Sequence, residues 1–135
     1  MSDTNDFIKK VSNVAKGKGA KIKNLVIASH GGPGHFYFGN QLIDEDQNER
    51  LSRLRVLIPL LAEDADVYVL ACRTGQDQAL LMKMSWALGG VRVHGYTDYI
   101  RTTSYGLFVT LDDGVNAEAG GHEVVCLRNK CSVAR

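Results

Sequence analysis

The chain has 135 residues, 44% of them hydrophobic and 23% charged, and a formal net charge of +1. That length and balance suit a single soluble domain with one core, spanning residues 1–135. A near-neutral charge gives no case for nucleic acid or a membrane as partner. No apolar run has signal-peptide or membrane-spanning form, so a cytoplasmic protein is expected.

From Asp6 to Lys16 the chain places Phe7, Ile8, Val11, Val14 and Ala15 at helical spacing, and Gly17 and Gly19 stop the helix. The lysines of KKVSNVAKGKGAKIK read as a solvated face, because no aromatic residues interleave there to stack bases. Lys23 to Ser29 is apolar at consecutive positions, the pattern of a strand covered on both faces. The stretch NLVIASHGGPGH, Asn24 to His35, carries that strand into a glycine-rich corner beginning at His30. His35 to Ile43 reads as an extended arm or hairpin turning at Gly39-Asn40.

Gln47 to Ile58 predicts a second amphipathic helix, with Leu51, Leu54, Leu57 and Ile58 on one side, which Pro59 should kink or end. DVYVLAC, Asp66 to Cys72, is a second buried strand. Asp77 to Leu88 predicts a third helix with Leu80, Leu81, Met84 and Leu88 inward, stopped by Gly89-Gly90. Val91 to Tyr96 is a third strand, in which His94 reads as a packed or surface histidine. Tyr105 to Leu111 and Glu123 to Leu127 add two more strands, joined by a Gly-rich loop from Asp112 to His122.

Alternation of strands and helices predicts an α/β fold, a three-layer sandwich with a mostly parallel sheet between helices. In such sheets ligands and catalytic groups gather beyond the carboxyl ends of the strands. His30 follows the end of one strand and Cys72 closes another, so the fold would bring them together across 42 residues of chain. A thiol attacks only as thiolate, and an ordinary thiol pKa of about 8.5 leaves little thiolate at neutral pH. A neighbouring imidazole takes the proton and later donates it to the leaving amine. Backbone N–H groups of Gly31 and Cys72 are the candidate donors to the oxyanion.

Weaker signals lie on the same edge. Tyr96 and Asp98 follow the third parallel strand, and Arg73 follows Cys72. Asp98 would select a basic substrate side chain, Arg73 an acidic one. An ordinary structural role is the simpler reading of both Tyr96 and Asp98, the latter orienting a loop or capping a turn.

Other chemistries lack their parts. There is no G-x-S-x-G elbow for an α/β-hydrolase, although HGGPG resembles an oxyanion loop of that group. A phosphatase loop fails because Gln78 stands six residues after Cys72, and no C-x-x-C or P-loop occurs. Three cysteines, Cys72, Cys126 and Cys131, are an odd count that argues against a disulfide framework. His122, Cys126 and Cys131 match no strong zinc template, so no metal is expected.

ASHGG followed by DADVYVLACRTG resembles the caspase-like cysteine peptidases, in which one strand ends in His-Gly and a later one in Ala-Cys. Ala71-Cys72-Arg73-Thr74-Gly75 is nearest the CHAT branch and related bacterial caspase-like domains. The resemblance covers roughly Leu25 to Asp98. It implies a caspase-like fold, a His30/Cys72 dyad and an oxyanion role for Gly31. Leu70 before Ala71, and Thr74 where caspases carry glycine, depart from the caspase pattern and weaken any claim of cleavage after aspartate. The expectation is a cysteine endopeptidase or peptidase-like hydrolase that needs no cofactor and takes a peptide or protein substrate. The alternative is a catalytically inactive caspase-like protein-binding module. An exposed edge strand would give a homodimer.

Overall fold

A computed structural model describes residues 3–98, 100–101, 106–110, 118–119 and 122–134. The first helix, α1 (Thr4–Lys18), starts where the Asp3 carboxylate accepts the Asp6 N–H, and ends at Gly19 with φ 64°. Its apolar stripe buries Phe7, Val11 and Ala15. The chain then enters β1 (Ile22–Ala28), turns through β2 (Gly31–Gly32), β3 (His35–Phe38) and β4 (Gln41–Asp44), and reaches α2 (Asn48–Arg53). The predicted second helix is shorter than its pattern suggested. From Leu54 to Leu60 it tightens into a 3-10 turn that contains Pro59. Proline has no N–H for the carbonyl four residues back and its ring crowds that carbonyl, so α geometry cannot persist.

Strand β5 (Leu61–Leu70) follows, then a short 3-10 turn (Thr74–Gln76), α3 (Gln78–Ala87) and β6 (Arg92–Tyr96). The remaining strands are β7 (Ile100–Arg101), β8 (Gly106–Thr110), β9 (Glu118–Ala119), β10 (Glu123–Leu127) and β11 (Lys130–Ala134). The predicted loop from Asp112 to His122 lies outside the described residues except for Glu118, Ala119 and His122.

Six strands form the main sheet in the order β11-β10-β6-β5-β1-β8. Only the pairings of β1 with β5 and of β5 with β6 are parallel. β8, β10 and β11 join antiparallel. The sheet is therefore mixed, with a parallel centre, rather than mostly parallel.

The expectation of helices on both faces also fails for the described residues. Phe7, Val11, Leu51, Leu54, Leu80 and Met84 from the helices pack with Leu25, Ile27, Val67, Val69 and Val93 in one core. The opposite face of the sheet carries Val26, Ala28, Leu70 and Tyr96 as a separate small cluster. Strand order explains why α2 and α3 share a face. The chain steps from β1 to β5 to β6 without reversing direction, so both crossovers, with the usual right hand, fall on the same face.

The odd cysteine count also leaves at least one thiol free, which holds for Cys72, but it argues against a disulfide framework, and there the structure differs. Cys126 and Cys131 face each other across the β10–β11 hairpin and form a disulfide, and Cys72 stays outside it. No helix among the described residues is long and apolar enough to cross a membrane.

The small sheet β2-β3-β4 is fastened to the body by aromatic packing. Phe38 stacks on Phe7 with ring centroids 4.1 Å apart, and Phe36 meets Phe38 edge-on at 5.2 Å. All three rings are buried. Phe38→Ala should therefore cost about 3–5 kcal/mol, from lost transfer energy and the cavity left behind. Urea unfolding of the two proteins checks this, and a loss below about 1 kcal/mol would mean that the small sheet is not part of the cooperative core.

Candidate functional site at the carboxyl edge of the sheet

The site begins with strand register. Ala28 of β1 pairs with Leu70 of β5, the last residues of two parallel neighbours. The ladder runs one step further, since the Ser29 N–H donates to the Leu70 carbonyl at 3.2 Å. His30 and Cys72 each stand two residues past that last pair. The structure thus places both at one end of adjoining strands, His30 exposed and Cys72 half-buried.

Glycine at position 31 is a steric requirement here. An added Cβ would lie 2.7 Å from the His35 carbonyl oxygen, 2.8 Å from the Ala71 Cβ and 3.5 Å from the Cys72 carbonyl oxygen. The residue after His30 is therefore pressed against the two residues that follow β5. Gly31 and Gly32 pair with Phe36 and His35 in a hairpin closed by Pro33-Gly34. Proline followed by a glycine at φ 78° is the pattern of a type II turn. The Asp77 carboxylate lies over Gly34 while its Oδ1 accepts the Ala79 N–H at the start of α3, so one side chain caps the helix and flanks the hairpin.

The residues after Cys72 also have local reasons. Arg73 takes the left-handed conformation, φ 63°, and turns the chain out of the strand direction. Its N–H donates to the Asp98 carbonyl at 3.0 Å, which ties the Cys72 loop to the loop after β6. Thr74 is buried, and its hydroxyl donates to the Ala71 carbonyl at 3.2 Å. Gly75 packs on the β6 backbone, where a Cβ would lie 2.8 Å from the Tyr96 nitrogen. The sequence Ala-Cys-Arg-Thr-Gly is thus a built turn.

The weaker candidates divide. Asp98 is exposed and its main chain touches the Cys72 loop. Arg73 is half-buried beside it. Tyr96 is buried, and its hydroxyl donates to Glu123 at 2.9 Å. Burial and that carboxylate push its hydroxyl well above the ordinary tyrosine range. Tyr96 therefore belongs to a network on the helix-free face.

That network was not legible as a unit. His94 lies with Nε2 2.8 Å from Asp66 and Nδ1 3.3 Å from Glu123, and stacks on Tyr68 at 4.2 Å. Arg92 donates to both Asp66 oxygens, at 2.7 and 2.9 Å. Burial raises the Asp66 pKa, but hydrogen bonds from Arg92 and His94 and their attraction outweigh it and hold the carboxyl below its ordinary value. Residues 92, 94 and 96 alternate onto one face, which the strand period implies; their partners on β5 and β10 depend on register.

Two other site residues went unread. Ser29 accepts the Tyr37 N–H at 3.2 Å and donates to the His30 carbonyl at 2.8 Å. Asp77 was legible only as the start of a helix. Cys126 and Cys131 are engaged with each other, and no group of three metal-binding side chains occurs among the described residues.

The family model described as a domain of unknown function, DUF4347, matches residues 1–104. The chain belongs to the DUF4347 family. The DUF4347 match takes in β1, β5 and β6, with His30, Gly31, Cys72, Arg73 and Asp98, and stops short of β8, β10 and the disulfide hairpin. No curated protein and no solved structure matches the chain.

Two outcomes follow from this geometry. Gly31→Ala should destabilise by about 1–3 kcal/mol, because the hairpin or the end of β5 must shift to admit a methyl group. An unchanged urea midpoint would show that the close approach is dispensable. A folded carboxyl pKa below the unfolded one contributes stability that is present above about pH 4 and is lost as pH falls through the folded value. Asp66→Asn should therefore flatten the acid limb of stability against pH, read from urea midpoints between about pH 2 and 7. Parallel acid limbs in the two proteins would assign the loss to other carboxylates.

Proposed function

We propose that the protein is a cysteine peptidase or peptidase-like hydrolase of caspase-like type, working through a His30/Cys72 dyad. The observation that carries this reading is the parallel β1–β5 register, which ends both strands together and sets His30 and Cys72 at equal distances beyond. Gly31, packed against Ala71 and Cys72, supports it, since that close approach holds the Gly31 and Cys72 main chains side by side as candidate oxyanion donors.

In this reading His30 takes the Cys72 thiol proton, and the thiolate sulfur attacks a peptide carbonyl carbon. The C=O electron pair moves onto oxygen, where the Gly31 and Cys72 N–H groups stabilise it. Collapse breaks the C–N bond, and His30 returns its proton to the departing amine. Water then attacks the thioester with His30 again as base. This releases the acid and restores the thiol. Asp98 and Arg73, joined through the main chain at the edge of the site, would contact the substrate.

The test is the rate of Cys72 alkylation by iodoacetamide against pH, in wild type and His30→Ala, with the modified peptide identified by mass spectrometry. A working dyad makes wild-type Cys72 react fast near about pH 7, and His30→Ala moves the profile towards the ordinary thiol range near 8.5. Overlapping profiles would defeat the peptidase reading and favour a caspase-like module that acts through protein contacts.

A further inference from the structure

We infer that Ser29 is a positioning residue for His30, an inference that rests on the dyad reading. His30 is exposed, and the main chain that carries it bears directly on its aim. Ser29 holds that main chain from three sides. Its N–H donates to the Leu70 carbonyl of β5 at 3.2 Å. Its hydroxyl donates to the His30 carbonyl at 2.8 Å and accepts the Tyr37 N–H of β3 at 3.2 Å.

A hydroxyl has one hydrogen to give and lone pairs to receive, and both capacities are used here. The bridge therefore needs a donor and an acceptor on one short side chain. Alanine supplies neither, whereas threonine supplies both and suits extended backbone. The Tyr37 end of the bridge is steady, because Phe36 and Phe38 on either side are buried in the core. Ser29 thus ties the His30 peptide to the end of β5, which also carries Cys72, and to the anchored small sheet. Without the hydroxyl the imidazole would sample directions away from the thiol, and proton transfer would become less frequent.

The experiment is the same alkylation profile measured on Ser29→Ala and Ser29→Thr, with thermal midpoints and hydrogen exchange of the Tyr37 amide. Losing one hydrogen-bonded bridge should slow Cys72 alkylation near pH 7 by about threefold to tenfold in Ser29→Ala. Its pH midpoint should rise part of the way towards that of His30→Ala, Tyr37 exchange should quicken, and Ser29→Thr should restore both. A Ser29→Ala profile that overlays wild type overturns the inference, as does an altered profile that threonine fails to restore. Should Ser29→Ala unfold, the threonine variant decides alone: wild-type alkylation and Tyr37 protection support the bridge, and loss of either overturns it. If His30→Ala has no effect in the same series, the dyad reading itself fails, whatever Ser29 does.

Discussion

The parallel pairing of β1 with β5 is the constraint on which the site depends. Its register is regular from Asn24 and Asp66 to Ala28 and Leu70, and its irregularity falls upstream, between Ile22 and Asn24. The end that carries His30 and Cys72 is therefore the well-ordered end. Leu25, Ile27, Val67 and Val69 of these strands point into the helix-covered core, and Val26, Ala28 and Leu70 into the smaller cluster behind. A one-residue slip would exchange those sets and expose apolar side chains to the wrong surroundings, so burial on both faces specifies the register. Burial in the core and geometry at the edge are two results of the same packing.

The glycine-rich corner after His30 looks mobile in sequence, yet each glycine there answers a contact. Gly31 admits Ala71, Gly32 lies under the His35 ring, and Gly34 takes a positive φ beneath Asp77. Phe36, Phe38 and Ile43 then anchor the following strands in the core. Glycine's freedom is used here for close approach, and its entropic cost in the unfolded chain is offset by the aromatic burial that follows. The result is a short, tightly turned loop after His30, seated on a packed base.

Much of this was legible. The consecutive apolar residues of β1 and β5 announced buried strands, and His30 and Cys72 stood at their ends. The α1 and α3 stripes were also readable, as were the glycines that end them, although Gly17 lies inside α1 and Gly19 alone caps it. What escaped depends on spatial order or cross-strand register, which no local pattern encodes. The shared face of α2 and α3 follows from the order β1-β5-β6. The Cys126–Cys131 disulfide follows from a hairpin whose turn, Arg128-Asn129, lacks the usual glycine although Arg128 takes φ 54°. The Ser29 bridge needed the position of Tyr37, eight residues away across a folded corner.

The division of the sheet into two faces also separates two kinds of titration. Asp66, Arg92, His94 and Glu123 join β5, β6 and β10 on the helix-free face, and His30 and Cys72 lie past the strand ends. Because the Asp66 carboxyl is held below its ordinary range, its loss of charge belongs to strongly acid solution. Ordinary imidazole and thiol titrations fall between about pH 6 and 9. The fold thus keeps the contribution of this carboxylate throughout the range in which an imidazole–thiol pair would exchange its proton. A change in Cys72 reactivity within that range is therefore not caused by the Asp66 carboxyl losing its charge.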